Sequence, residues 1–130
     1  MGNSPWEYFT WEELRCHCGC GKAEMDPRFM TKVVILRRAM AKAFTVKSAY
    51  RCPDHNEKVS RTKSRTGPHT EGRAMDIAAD GLLVWDMLPH LRNYGFRGVG
   101  LQQSGSNRYI HLDDCDALEG RPRPWVWTYG

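Results

Sequence analysis

Two short segments with strand-forming composition place ionisable side chains among apolar ones, and they limit how this chain can fold. In residues 73–79, Asp76 alternates with Met75 and Ile77. Residues 108–113 place His111 between apolar neighbours in the same way. Because successive side chains of a strand point to opposite faces, each segment has an apolar face for a core and a polar face for a site. If the two strands are neighbours, Asp76 and His111 lie one strand spacing apart.

The polar stretch before the first of these strands supplies a third ionisable residue. Residues 60–72 contain Gly67, Pro68 and Gly72 and are predicted to form a long loop, from which His69 would enter the site. Two imidazoles and one carboxylate would leave an open coordination position, which is typical of a catalytic zinc. The alternative is that His69 is an ordinary loop histidine and that Asp76 forms an ion pair with Arg73.

The remaining pattern alternates helices with short strands and indicates an α+β domain. Asp26 and Pro27 are suited to begin a helix that runs to about Lys42. Its apolar residues recur at helical spacing and should face the core: Phe29, Val33, Leu36 and Met40. Further helices are predicted at 11–14, 53–60 and 82–94, the last kinked or split by Pro89. Further strands are predicted at 44–50 and 98–102.

The composition indicates one ordinary globular domain. The chain has 130 residues, of which 41% are hydrophobic and 26% charged. A net charge of +4 would suit any polyanion and does not select one. We predict no nucleic-acid partner. The aliphatic run 33–36 is too short to span a bilayer, so we expect no membrane insertion. The first 14 residues lack a signal-peptide pattern, so we expect synthesis in a bacterial or host cytoplasm.

The chain has five cysteines, and this odd number favours reduced thiols. Cys16, Cys18 and Cys20 lie beside His17 in a glycine-containing loop, which suggests a metal knuckle. The C-x-C-x-C spacing counts against it, because it lacks the two-residue gap common in zinc knuckles, and a fourth ligand such as Cys52 would have to come from a distant segment. We therefore expect buried or loosely packed thiols here.

Several motifs together resemble the zinc peptidases of peptidoglycan. They are Ser48-Ala49-Tyr50-Arg51, His55-Asn56, His69-x-x-Gly72-x-Ala74-x-Asp76, and His111-x-Asp113. They are similar to the D-Ala-D-Ala carboxypeptidase family, which includes vancomycin-resistance dipeptidases and phage wall endopeptidases, and most of all to its short bacterial and phage endolysin-like branch. The resemblance covers about residues 8–127. It implies the fold shared with the hedgehog signalling domain, a small antiparallel sheet with helices packed on one side.

The resemblance also implies roles for individual residues. His69, Asp76 and His111 correspond to the ligands of one catalytic Zn²⁺. Arg51 corresponds to the arginine that steadies the substrate carbonyl oxygen as it becomes negative, and a structural ion pair is its alternative. The candidates for substrate binding are Ser48, His55 and Tyr109. Tyr109 would donate to the oxyanion, and His55 could instead be a packing residue.

Departures from the family pattern leave the general base open. Gly67 stands where many members have serine, and Arg108 stands where several have an acidic base. Arg108 cannot accept a proton, and its strand parity directs it away from His111. Asp113 is the first choice as a catalytic residue, because it shares a face with His111. It would either accept a proton or orient a ligand histidine.

The expected activity is hydrolysis of an amide bond in a peptidoglycan stem peptide or cross-link. We expect a monomeric phage or prophage endolysin that acts on the bacterial cell wall after release. The alternatives are a zinc-containing module that binds the wall without cutting it and a phage structural protein. Trp125 and Trp127 near the C-terminus would either pack on the sheet or line a groove.

Overall fold

A five-stranded sheet forms the centre of the computed structural model, which describes residues 4–129. Residues 1–3, the start of the segment assessed for a signal peptide, and residue 130 lie outside the described part. The strand order is β1-β2-β4-β3-β5. The strands are β1 (Val46–Ser48), β2 (Ala74–Ala78), β3 (Gly98–Gln102), β4 (Tyr109–Asp113) and β5 (Trp125–Thr128).

The sheet is mixed rather than wholly antiparallel as expected. The pairs β1–β2, β2–β4 and β3–β4 are antiparallel, whereas β5 pairs with β3 in parallel. β5 follows a long irregular connection after β4, and such a connection lets the chain return in the same direction as β3. The tail that carries Trp125 and Trp127 is therefore an edge strand of the sheet.

The register of β2 and β4 confirms the strand parity inferred from the sequence. Asp76 pairs directly with His111. The alternate residues of the two strands form the opposite face and are fully buried in the core: Met75, Ile77, Ile110 and Leu112. The sheet thus separates an apolar layer from a polar face that carries the predicted ligands.

Four helices accompany the sheet within residues 4–129: α1 (Trp11–Leu14), α2 (Pro27–Met40), α3 (Pro53–Val59) and α4 (Gly81–Leu91). Asp26 caps α2 by accepting hydrogen bonds from two backbone N–H groups, and the helix ends at Ala41 in the left-handed conformation, slightly earlier than predicted. The buried faces of α2 and α4 belong to the same core as the apolar layer of the sheet.

Pro89 does not split α4, which excludes one of the two outcomes predicted for it. The proline lies in the last turn, and the helix ends at Leu91. It removes one helical hydrogen bond, to the carbonyl of Trp85, a residue on the exposed side where water can replace the missing donor. Val84 is buried in this helix, whereas Leu88 is 40% exposed.

None of the helices described between residues 4 and 129 is long and apolar enough to cross a bilayer.

Candidate metal centre and active site

Three buried side chains converge on the polar face of the sheet. His69 comes from the loop before β2, Asp76 from β2 and His111 from β4. One ligand atom from each lies within 4.8 Å of the others. The two carboxylate oxygens of Asp76 lie 3.4 Å from Nε2 of His69 and 3.0 Å from Nδ1 of His111. The alternative pairing of Asp76 with Arg73 is not observed, because Arg73 pairs with Asp114.

The orientation of His69 is fixed from outside the cluster. Its Nδ1 lies 2.7 Å from the carbonyl oxygen of Ala49 and can only donate to it. This hydrogen bond sets the tautomer that leaves Nε2 with a free lone pair, directed towards Asp76. The carbonyl of His69 in turn accepts from the backbone N–H of Arg51, so the loop is held at the end of β1.

His111 is oriented through its other ring nitrogen, Nε2, whereas His69 is oriented through Nδ1. Its Nε2 lies 2.7 Å from Asp113, and its Nδ1 faces Asp76. With Nε2–H donating to Asp113, Nδ1 is the nitrogen available to a metal. The donor set is therefore two neutral imidazole nitrogens and a carboxylate, which fits zinc with an open position for water or substrate.

The electrostatics of the cluster favour an anionic carboxylate. Burial raises the pKa of Asp76, but the neighbouring His69 and His111 outweigh it and hold the pKa of the carboxyl well below its ordinary value. Burial lowers the pKa of His111, but hydrogen bonds to Asp113 and Asp76 outweigh it and raise the pKa to about 9. A divalent cation at this point would replace that imidazolium proton as the balancing positive charge.

Arg51 places its guanidinium against the ligand cluster. Its Nε donates to Ser48 Oγ at 3.1 Å, and its two terminal nitrogens reach Asn56 Oδ1 at 3.2 Å and Asp76 at 3.5 Å. Asn56 is itself buried and donates to the carbonyl of Ser64. Ser48 and Asn56 therefore fix a positive charge beside the candidate metal ligands.

Asp113 is enclosed by donors on the side of His111 away from Asp76. Besides His111, it accepts hydrogen bonds from Nε and Nη2 of Arg123, at 2.9 and 2.7 Å, and from the backbone N–H of Cys115. Burial raises the pKa of this carboxyl, but His111 and Arg123 outweigh it and hold the pKa well below its ordinary value. With no exposed surface, its acceptor positions are all engaged.

A glycine in β3 makes room for the Asp113 carboxylate. Gly98 pairs with Asp113 across the sheet, and a Cβ at this position would overlap the carboxylate oxygens. The next residue on that face, Gly100, lies under the indole of Trp127 in the same way, with Nε1 2.6 Å from where its Cβ would be. The two glycines let a carboxylate and an aromatic ring lie flat over the strand.

A cavity of about 520 Å³ opens above the cluster. Arg51 and Tyr109 line it, whereas Ser48 and His55 do not. Burial and the charge of Asp76 raise the pKa of Tyr109, which keeps its phenol protonated and able to donate. Other side chains that line it are Asn56, Arg61, Arg123, Trp125, Trp127 and Tyr129.

The other two substrate-binding candidates lie behind this cavity. Ser48 accepts from Arg51 and thus acts on its orientation. His55 is half-buried in the first turn of α3, and its backbone N–H points to the sulfur of Cys52. Burial and the nearby Arg51 lower the pKa of His55.

Sequence reasoning missed Arg123 and Tyr129 of the tail, which complete the site, whereas it named Trp127 as a residue that would pack on the sheet or line a groove. Arg123 binds Asp113, the indole of Trp127 lies 5.1 Å from the His111 ring, and Tyr129 lies under Arg61. No local pattern marks them, because they reach the site only through the parallel pairing of β5. Asn56 was quoted in a motif but given no role.

Arg108 lies outside the site, as its strand parity predicted. Its guanidinium donates to the carbonyl of Gly105 in the turn between β3 and β4. Among residues 4–129, Asp76 is the only carboxylate that lines the cavity.

The arrangement of four of the cysteines differs from the buried or loosely packed thiols that were predicted. The structure brings Cys52 to the loop that holds Cys16, Cys18 and Cys20, so the four thiols form one cluster rather than loosely packed groups. The sequence separation that counted against a fourth ligand is bridged because the start of α3 packs against the loop after α1. Cys16 and Cys52 are buried, and Cys18 and Cys20 are at the surface.

Comparison with known proteins identifies the family. The model of the family described as Peptidase M15 matches residues 7–113, which include the three candidate ligands, Arg51 and Asp113 but not β5. No curated protein gives a significant match. The chain therefore belongs to the peptidase M15 family, that of the zinc D-Ala-D-Ala carboxypeptidases its motifs resemble.

Proposed function

We propose that this protein is a zinc-dependent peptidase that hydrolyses amide bonds in peptidoglycan stem peptides or cross-links. The observation that carries the proposal is the convergence of His69, Asp76 and His111 within 4.8 Å of one another, beside Arg51, at the cavity. Membership of the peptidase M15 family supports the same reaction class.

The three ligands hold the metal through defined atoms. His69 would bind through Nε2 and His111 through Nδ1, with Asp76 completing the set. Zinc bound there would supply Lewis acidity that polarises the scissile carbonyl and activates water. The hydrogen bonds that His69 donates to the Ala49 carbonyl and His111 donates to Asp113 fix the orientation of both imidazoles.

Arg51 would stabilise the negative charge that develops on the substrate carbonyl oxygen. Its guanidinium is fixed by Ser48 and Asn56 before substrate arrives, so little reorganisation accompanies the reaction. Removing one such donor typically costs about 2.7–4 kcal/mol in transition-state stabilisation. Tyr109, protonated at neutral pH, is a second donor for the same oxygen.

Asp113 would act as a positioning residue. Its four hydrogen bonds come from His111, Arg123 and the N–H of Cys115, so no acceptor position remains for a proton from water. Its charge keeps Nε2 of His111 protonated and Nδ1 free. This support role fits the geometry better than the role of general base.

The cavity suits an anionic peptide. Arg51, Arg61 and Arg123 line it together with the aromatic rings of Trp127 and Tyr129. Free carboxylates of a stem peptide would pair with the guanidinium groups of Arg51 and Arg61, and the rings would cover its short side chains. We further propose, from the endolysin-like branch that the motifs resemble, that a monomer reaches the bacterial wall after synthesis in the cytoplasm.

The test is a turbidity assay on purified peptidoglycan. Zinc-loaded protein should lower the turbidity, a chelator should stop the reaction, and added zinc should restore it. His69→Ala should be inactive, whereas His90→Ala, a change in α4 away from the cavity, should be active. Full activity of the chelated protein or of His69→Ala would contradict the proposal.

One observation favours a second function, a module that binds peptidoglycan without cutting it. Apart from the ligand Asp76, the cavity within residues 4–129 has no carboxylate that could serve as a general base. Cosedimentation with peptidoglycan distinguishes the two functions: binding that depends on zinc, without any release of peptides, would favour the binding module.

A further inference from the structure

Four cysteines form a second cluster, separate from the catalytic ligands, and one of them is the residue after Arg51. Cys16, Cys18 and Cys20 come from the loop after α1, and Cys52 is the residue that precedes α3. The four sulfur atoms lie within 4.8 Å of one another. The sulfur atoms lie 3.4 Å apart in Cys16 and Cys18, 3.7 Å apart in Cys16 and Cys52, and 3.6 Å apart in Cys18 and Cys52.

We propose that these four thiolates bind a structural Zn²⁺ ion, separate from the catalytic one. A zinc–sulfur bond of about 2.3 Å in tetrahedral geometry places the sulfurs about 3.8 Å apart, close to the observed separations. A disulfide would need about 2.05 Å. In polynuclear iron–sulfur clusters the four thiolates do not all bind the same iron atom, and those on different irons lie farther apart, so the spacing fits a single ion.

The backbone around the cluster is arranged to receive thiolates. The N–H of Cys52 points to the sulfur of Cys16 at 3.4 Å, and the N–H of His55 points to the sulfur of Cys52 at 3.5 Å. Such N–H donors stabilise the negative sulfur of a metal thiolate. Both N–H groups contact the sulfur of a buried cysteine, whose negative charge water cannot reach to stabilise.

The loop that holds the other cysteines is closed and sharply turned. The N–H of Cys16 bonds to the carbonyl of Lys22 at 2.8 Å. Gly19 and Gly21 adopt φ values of +92° and +79°. These left-handed turns direct alternate side chains of the C-x-C-x-C run to one point, which an ordinary extended or helical segment would not do.

The ion would connect the N-terminal loop to the catalytic machinery. Cys52 directly follows Arg51, and the N–H of Tyr50 bonds to the carbonyl of Leu14 at 3.1 Å. A closed site of four thiolates would therefore fix the backbone on both sides of Arg51. Its role is to position Arg51, with no open coordination site for substrate.

The test is zinc content per chain, measured by elemental mass spectrometry on protein purified under reducing conditions with zinc. Wild type and the control Cys115→Ala, which alters the buried cysteine outside the cluster, should hold about two ions. His69→Ala should hold about one, releasable by a mercurial thiol reagent. The Cys18→Ser/Cys20→Ser double variant, changed at exposed positions, should hold about one that the mercurial does not release.

The outcomes separate this inference from the proposed function. About one ion in wild type and about none in His69→Ala would overturn the four-cysteine site and leave the catalytic site intact. About one ion in both, with none in the double variant, would support the four-cysteine site and contradict the catalytic ligand set.

A spectroscopic measurement keeps the inference falsifiable if the double variant does not fold. Cobalt-loaded His69→Ala should show thiolate-to-cobalt charge-transfer bands and the visible bands of tetrahedral Co²⁺. Their absence from folded protein would overturn the four-cysteine site, and so would a Cys16–Cys52 disulfide in protein kept under reducing conditions.

Discussion

Asp113→Asn tests whether Asp113 orients His111 or accepts a proton. The change keeps the shape of the side chain but removes the charge that faces Arg123, whose side chain is only 5% exposed. It also replaces one carboxylate oxygen with a donor, which weakens the hydrogen bond at Nε2 of His111 or one from Arg123. The orientation of the ligand imidazole should therefore be lost in part.

The magnitude follows from these contacts. Removing an outer hydrogen-bond partner of a ligand histidine typically lowers metal affinity about 10–100-fold. Breaking a buried ion pair by removing one partner lowers the free energy of unfolding by about 3–5 kcal/mol. Because the amide of Asn keeps part of the hydrogen bonding, we expect a loss of stability near the lower of these values. We expect zinc affinity to fall about 10–100-fold, with much of the activity recovered at saturating zinc.

The assay is competition with a chromophoric zinc chelator, combined with urea unfolding and turnover at saturating zinc. Asp114→Asn is the matched control, because Asp114 is equally buried but pairs with Lys32 and Arg73 away from the ligands. It should lower the free energy of unfolding without changing zinc affinity. Unchanged zinc affinity in Asp113→Asn, with a loss in kcat of about 10²–10⁴-fold at saturating zinc, would refute the positioning role and identify a general base.

Three further predictions concern Arg51, Gly98 and Cys115. Arg51→Ala should lower kcat about 10²–10³-fold on wall peptides with the catalytic zinc still bound, and a loss of zinc in equal measure would contradict its role. Gly98→Ala should lower the free energy of unfolding by about 1–3 kcal/mol in urea, because the new Cβ displaces the Asp113 carboxylate; unchanged stability would be contrary to this packing. Burial and the charge of Asp113 raise the pKa of Cys115 to about 12. At about pH 8.5 its thiolate fraction should be about a thousandfold below that of an exposed thiol. Iodoacetamide should therefore label Cys115 only in the urea-unfolded chain, and rapid labelling of the folded protein would contradict the burial.

Local chemistry made much of the fold predictable. Asp26 and Pro27 fix the start of α2 through the backbone groups of its first turn. The two-residue period of β2 and β4 determines that Asp76 and His111 share a face whatever lies beyond them. Each of these inferences needs only the conformational preferences of a few consecutive residues.

The features that sequence reasoning missed or weighed against depend on contacts between distant segments. Arg123 reaches Asp113 only because β5 runs parallel to β3. Cys52 joins the cysteine loop only because α3 begins beside α1. Neither of these two contacts leaves a periodic pattern in the sequence, because each depends on how distant segments pack together. Pro89 shows the opposite relation between local sequence and structure. A proline is a strong local signal for a helix break, but α4 is not broken because Pro89 lies in its last turn.

The central claim is that His69, Asp76 and His111 hold a zinc ion that is required for cleavage of peptidoglycan peptides. Mass spectrometry of the soluble peptides released from purified peptidoglycan tests it most directly, with zinc-loaded, chelated and zinc-restored protein compared in parallel. We predict that new peptide termini appear with zinc-loaded protein, disappear with chelator and return with added zinc. Equal release by the chelated protein, or no new termini from folded protein with zinc at the three ligands, would contradict the claim.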